Sequence, residues 1–227
     1  MPSANETFTG FRPEAIQFLA DLTVNNDRAW FQPRKADYER LLKAPLEALC
    51  TDLAERFAAR GIPLQADPAR SPFRIYRDVR FSKDKSPYKT NVGASFAWAG
   101  DGEGSSGGYF HLAPGEVFVG GGMWHPEPGR LNAFRRLVDT DPGRVHAVID
   151  ESSFVDAFGH VSGESLTRVP KGYRVDHPDA ELLKLKGVVF MRRLSDADVG
   201  SADLPDSLAD ALAVGVPLLR LLASLPA

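Results

Sequence analysis

Residues 109–120 read Tyr109-Phe110-His111-Leu112-Ala113-Pro114-Gly115-Glu116-Val117-Phe118-Val119-Gly120, and their order decides the fold. Two short runs rich in aromatic and β-branched residues flank Ala113-Pro114-Gly115-Glu116, a linker whose length and turn residues suit a hairpin. Upstream, Val92, Ala94, Phe96 and Trp98 recur at every second position, which is strand spacing. Further upstream, Phe73, Ile75, Arg77, Val79 and Phe81 alternate with Arg74, Tyr76, Asp78 and Arg80, and the same rule predicts another strand. These runs together predict an antiparallel meander. Ala99 to Gly108, with five glycines and two serines, is expected to be a flexible connection.

Outward from the strands the period becomes helical. Phe11, Ala15, Phe18, Leu19 and Leu22 share one face, with Pro13 in a first turn and Asn25-Asn26 closing the segment. From Asp27 a second helical region carries Tyr38, Leu41, Leu42, Leu46, Leu49, Leu53 and Phe57 to a stop at Gly61, and Pro33 and Pro45 should split or bend it. Beyond Arg130 come two short helical patterns, then a helical stretch at Ala180–Lys186, a strand pattern at Val188–Leu194 and a closing helix from Leu204 to Leu225, kinked or ended near Pro217. Helices bracket strands instead of alternating with them. The expected class is therefore α+β, an antiparallel central sheet covered by N- and C-terminal helices. No linker separates two complete hydrophobic patterns, so residues 1–227 are expected to form a single domain.

Composition narrows the function. The chain is 43% apolar and 25% charged, which excludes disordered and fibrous classes. The net charge of −3 provides no global field towards nucleic acid or anionic lipid. The apolar stretch 204–225 is interrupted by Asp206, Asp210, Pro217 and Arg220, so no membrane span is expected. Met1 to Thr7 does not resemble a secretory signal, and a lone Cys50 on an apolar stripe reads as a buried structural thiol in a reducing compartment; a cytoplasmic location is expected.

The charge that exists is concentrated. Within residues 70–91, seven bases (Arg70, Arg74, Arg77, Arg80, Lys83, Lys85, Lys89) face two acids (Asp78, Asp84), giving +5 and leaving −8 on the rest of the chain. On a strand, Arg74, Tyr76, Asp78 and Arg80 would project together with roughly 7 Å between same-face neighbours. Flanking guanidinium groups would keep Asp78 ionised, making it an orienter of arginine forks rather than a proton acceptor. Arg77 interrupts the apolar face and must snorkel or find a partner. The candidate ligand contacts are Arg74, Arg77, Arg80, Lys85 and Lys89, with Asp78 as orienter, Tyr88 as a hydroxyl or aromatic contact, and Lys171 as a donor from a second small cluster. Guanidinium and ammonium donors of this kind suit a phosphate or carboxylate.

At these residues the chain resembles a bacterial family catalogued as domain of unknown function 2461. Arg74-Ile75-Tyr76-Arg77-Asp78-Val79-Arg80-Phe81, Asp84-Lys85 and Tyr88-Lys89-Thr90 carry the likeness. Gly10-Phe11, Asn25-Asn26 with Trp30-Phe31, Gly121-Gly122-Met123-Trp124 with Pro126, and Pro170-Lys171-Gly172-Tyr173 with His177-Pro178 extend it over nearly the whole chain. The resemblance implies a widespread intracellular protein; it supplies no catalytic residue and no cofactor.

Other signals are weaker. The five histidines, His111, His125, His146, His160 and His177, lack zinc-site spacing, so no metal is expected. No P-loop, dinucleotide fingerprint or Gly-x-Ser-x-Gly occurs, and the cofactor is left open. His125 with Glu127 beside a glycine-rich turn is a candidate acid/base pair. The leading expectation is a binder of a small anionic ligand, with hydrolysis of a phosphorylated substrate as the reaction class if chemistry follows. The alternatives are a noncatalytic interaction module, including a homodimer, and a nucleic-acid-binding protein.

Overall fold

The computed structural model describes residues 7–80, 82–99 and 106–226. Phe81 of the expected first strand, and residues 100–105 of the expected glycine-rich connection, lie outside the described residues. The observed class is α+β. Five strands, β1 (Leu64–Gln65), β2 (Val92–Trp98), β3 (Gly107–Ala113), β4 (Glu116–Met123) and β5 (Val188–Arg193), form an open antiparallel sheet in sequence order. The β3–β4 hairpin turns at Pro114-Gly115, where Gly115 adopts the left-handed φ of +75° that such a turn requires. Strand β3 alternates half-exposed and buried residues throughout, so Tyr109 and His111 share one face while Phe110 and Leu112 enter the core.

Helix α1 (Pro13–Val24) buries Ala15, Phe18, Leu19 and Leu22, the stripe expected from spacing. The second helical region does not break at its prolines but changes pitch. Helix α2 (Arg28–Phe31), capped by Asp27 accepting from the Trp30 N–H, runs into a 3-10 turn at Gln32–Arg34 that holds Pro33. Helix α3 (Lys35–Tyr38), a π-helical turn (Glu39–Lys43) and α4 (Ala44–Arg60) follow without interruption. Pro45 lacks an N–H and its ring crowds the carbonyl four residues back; the wider π turn before it absorbs that conflict. Gly61 ends α4 in the left-handed conformation.

Between β4 and β5 lie α5 (Pro128–Thr140), α6 (Pro142–Ile149), α7 (Ser152–Phe158) and α8 (Ala180–Lys184); α9 (Asp196–Gly200) and α10 (Leu204–Ala223) follow β5. Helix α10 continues through Pro217 instead of ending there. Helices α7 and α9 are too short to show a period and are held by caps: Glu151 accepts from the Ser153 and Phe154 N–H groups, and Ser195 with Asp198 forms a capping box. No helix among the described residues is long and apolar enough to cross a membrane.

By packing, the chain forms two compact units. The first comprises Met1–Phe96, Tyr109–Val119 and Arg193–Asp210. Its core holds Leu46, Leu49, Cys50, Leu53 and Phe57 of α4, with Phe57 edge-on to Phe96. Arg56 and Arg60 pair with Asp206 in the first turn of α10, where a carboxylate also faces the positive end of the helix. Gly10 is held at φ +98°, and a Cβ there would lie 2.1 Å from the Gly200 carbonyl oxygen; the Phe11 N–H donates to the Val199 carbonyl (3.0 Å) at the same crossing. The Gly10-Phe11 motif is thus a backbone contact point.

The second unit comprises Ala97–Gly108, Gly120–Arg192 and Ala211–Ala227. Phe190 of β5 is its centre, touched by Phe154 and Phe158 of α7 and by Gly215 of α10. The glycine run of β4 serves the same packing. At Gly122 (φ +129°) a Cβ would sit 2.1 Å from the Val188 carbonyl oxygen, so the close approach these glycines permit is to β5.

Candidate functional site

The basic segment is extended, but it is not a regular strand. It pairs with its own return limb through two isolated antiparallel bridges, Pro72 with Ala94 and Tyr76 with Tyr88. Backbone hydrogen bonds run from Ser95 N to Ser71 O (2.9 Å), Phe73 N to Gly93 O (2.9 Å), Lys89 N to Ile75 O (2.7 Å) and Arg77 N to Pro87 O (3.0 Å). Three residues (73–75) lie between the bridges on the outgoing limb and five (89–93) on the return, so two extra residues bulge between them. The bulged stretch contains Lys89 and Asn91. The return limb is fixed by Asn26, in the loop that follows α1, whose side-chain amide donates to the Tyr88 carbonyl and whose side-chain carbonyl accepts from the Tyr88 N–H, both at 3.0 Å. This gives the Asn25-Asn26 motif a structural role.

The irregular pairing redistributes the expected faces. Ile75 is buried, whereas Phe73, placed on the same face by alternation, is 43% exposed. Arg77 is half-buried and pairs with Asp84, so the charge that interrupts the apolar face finds a partner. Hydrogen bonds from Ser86 and then from Arg77 hold Asp84 well below the ordinary carboxylate range. Asp78 receives the Arg80 guanidinium as a fork, Nε at 3.0 Å and a terminal nitrogen at 2.7 Å. Those hydrogen bonds, with the Arg74 charge nearby, lower its pKa, as expected for an orienter. Lys85 donates to the Val79 carbonyl at 3.0 Å. Tyr88 is not on a ligand-facing surface: it is buried, stacked on Phe31 with ring centroids 4.0 Å apart. Lys171 is exposed in the second unit.

Of the expected residues, Arg77, Asp78 and Lys89 come together around an open hollow of about 480 Å³ in the first unit. Its other walls are Phe73, Asn91, Tyr109 and His111, which charge patterning does not single out. The available signal was the pairing of Tyr109 and His111 on the polar face of β3, two residues apart. The Tyr109 hydroxyl lies 3.1 Å from His111 Nδ1. The His111 ring stacks on Phe118 of β4 (4.8 Å, 10°), and Phe73 meets Tyr109 at 5.9 Å. Lys89 extends its ammonium over the Phe73 ring, 5.0 Å from the centroid.

The electrostatics separate two kinds of cation. Arg77 and Arg80 are matched by carboxylates. Among the described residues, neither Arg74 nor Lys89 has a hydrogen-bonded or ion-paired acid. Burial, and then the nearby Arg74 charge, lower the Lys89 pKa. Burial pushes Tyr109 up to about 12, with the Glu116 charge adding to it, and moves His111 downward against the opposing pull of Glu116. The hollow therefore places a phenol shifted towards its protonated form and an imidazole shifted towards its neutral form beside the Lys89 ammonium, with the Arg74 charge nearby.

A family model described as "Conserved hypothetical protein (DUF2461)" matches residues 14–220. The chain belongs to the DUF2461 family. No curated protein and no solved structure matches it. The segment carrying most of the motifs quoted for the likeness, residues 74–90, supplies Arg77, Asp78 and Lys89 to the hollow of this DUF2461 protein. The Gly121 to Pro126 stretch ends in a strained corner: His125 has φ +49°, uncommon for a residue with a side chain, and its ring meets the exposed Trp124 edge-on at 4.9 Å. Among the described residues, no group of three or more His, Cys, Asp or Glu is placed to hold a metal ion.

Proposed function

We propose that this DUF2461 protein binds a small phosphate- or carboxylate-bearing molecule in the cytoplasm, using the hollow beside Arg74 and Lys89. One observation carries the reading: two neighbouring cations, one of them half-buried, feel each other's charge, and neither is hydrogen-bonded or ion-paired to an acid among the described residues, the nearby Asp78 carboxylate being held by the Arg80 fork. Like charges so placed repel, and a bound anion converts that repulsion into two charge-assisted hydrogen bonds. Arg77, matched to Asp84, lines the hollow beside Asp78, whose carboxylate is taken up by Arg80, and Asn91 adds an amide that both donates and accepts. A volume of about 480 Å³ suits a metabolite. The buried thiol of Cys50 accords with a reducing compartment.

Isothermal titration with inorganic phosphate, sugar phosphates and short dicarboxylates tests the proposal. Lys89→Met keeps the methylene stem over Phe73 and removes the charge. It should weaken binding about tenfold or more, since a hydrogen bond to a charged group is worth about 1.5–3 kcal/mol. Absence of binding by every anion, or equal affinity in the variant, overturns it.

A further inference from the structure

Resting on that reading, we propose that the ligand is a flat aromatic ring carrying its anionic group on a short tether, the chemistry shared by nucleoside monophosphates and arene carboxylates. The walls of the hollow divide into two halves. Lys89 and Asn91 come from the bulged return limb and, with Arg77 (paired to Asp84), Asp78 (its carboxylate held by the Arg80 fork) and Arg74 close by, form a net cationic, hydrogen-bonding half. Tyr109 and His111 come from β3 and, with Phe73, form an aromatic half.

A simple anion needs only the first half. The aromatic half is more than a chance apolar lining, because its rings are already ordered for stacking. His111 lies nearly parallel to Phe118, 10° between planes and 4.8 Å between centroids, so one face is covered by a fixed platform while the residue still lines the hollow. A ligand ring laid on His111 extends that stack by one member. Tyr109 packs edge-on against the same Phe118 at 5.8 Å, which keeps the platform from rotating. Phe73 stays 43% exposed at the rim, apolar surface that a ligand ring would cover. Its ring also holds the Lys89 ammonium at the boundary between the halves. An aromatic body and an anionic end are thus received side by side. Glu116, whose charge is felt at both Tyr109 and His111, disfavours an anion over the aromatic half and so orients the anionic end towards Lys89.

Titration calorimetry on the full chain separates the possibilities with five probes: adenosine 5′-monophosphate, uridine 5′-monophosphate, 4-hydroxyphenylacetate, ribose 5-phosphate and succinate. Stacking of a base on an aromatic platform should make a ring-bearing anion bind about tenfold more tightly than its ring-less counterpart. A preference within the nucleotide pair or for the arene carboxylate identifies the source. His111→Ala should weaken the ring-bearing anions more than ribose 5-phosphate, so that the advantage of the ring is lost, and His111→Phe should restore that advantage. Ribose 5-phosphate binding as tightly as the nucleotides, or a ring preference insensitive to His111→Ala, overturns this inference and leaves simple anion binding intact. Failure of all five probes overturns both.

Discussion

His146 offers a measurable link between one side chain and the pH dependence of stability. On α6 its Nδ1 lies 2.8 Å from Asp150, one turn along the helix, and its Nε2 lies 2.8 Å from Asp179, just before α8. Hydrogen bonds to Asp179 and then to Asp150 raise its pKa above the ordinary histidine value. The imidazolium thus ties α6 to the loop that precedes α8. A raised folded-state pKa means that the stabilisation is present in full below the unfolded value of about 6.5 and is lost as pH rises through the folded value. The Asp150 pair is exposed and contributes a few tenths of a kcal/mol; Asp179, whose side chain is only 14% exposed, contributes more. With the imidazole itself 39% exposed, screening limits the two together to about 1 kcal/mol. His146→Gln removes the charge and keeps a polar group of similar reach. Urea unfolding followed by circular dichroism should give a wild-type advantage of about 1 kcal/mol at pH 5.5 that shrinks towards a few tenths at pH 9. An advantage that is constant or grows with pH would refute the assignment.

Two further outcomes follow from buried groups. Arg135 on α5 is 8% exposed and donates to the Leu183 carbonyl (2.9 Å) and the Leu185 carbonyl (2.8 Å) at the end of α8. Arg135→Met should cost about 2–4 kcal/mol in chemical unfolding, because two buried carbonyls lose their donors, and a loss below about 0.5 kcal/mol would contradict that role. Cys50 is fully buried, and burial pushes its thiol up to about 12; it should resist a thiol-disulfide reagent at pH 7 and react in full only in denaturant, whereas rapid native-state labelling would show the site to be open.

Much of the fold could be read from spacing, for a definable reason. The stripes of α1 and α4 and the alternation of β2 and β3 are local periodicities, and Pro114-Gly115 marks a local turn. Each element records its own burial pattern in its own residues. The segment 73–80 shows the limit of that logic. Its alternation suggests a strand, yet its partner is a return limb with two residues more than a regular ladder allows. A bulge is a property of the pair and leaves no mark in the period of either limb. The same holds for Arg77, whose place depends on Asp84 across a loop, and for Tyr88, whose ring is buried by Phe31 from far earlier in the chain.

The charge count of the basic window explains why the candidate site was half visible. Seven bases suggest a strongly positive surface, but the count treats every base alike. Arg77 and Arg80 face acids inside the window, Arg70 lies 3.8 Å from Asp67 just outside it, and Lys85 is turned to a carbonyl. Around the hollow, the cations without a hydrogen-bonded or ion-paired acid among the described residues reduce to Arg74 and Lys89. A field from two cations beside an aromatic wall is short-ranged, falling away within a Debye length of about 8 Å at physiological salt. On the proposed reading, such a field favours an anion that enters the hollow over one that passes along the surface. On that reading discrimination comes from contact, which makes Phe73, Tyr109 and His111 as important to the proposed ring-bearing ligand as the basic residues that first draw attention to the segment.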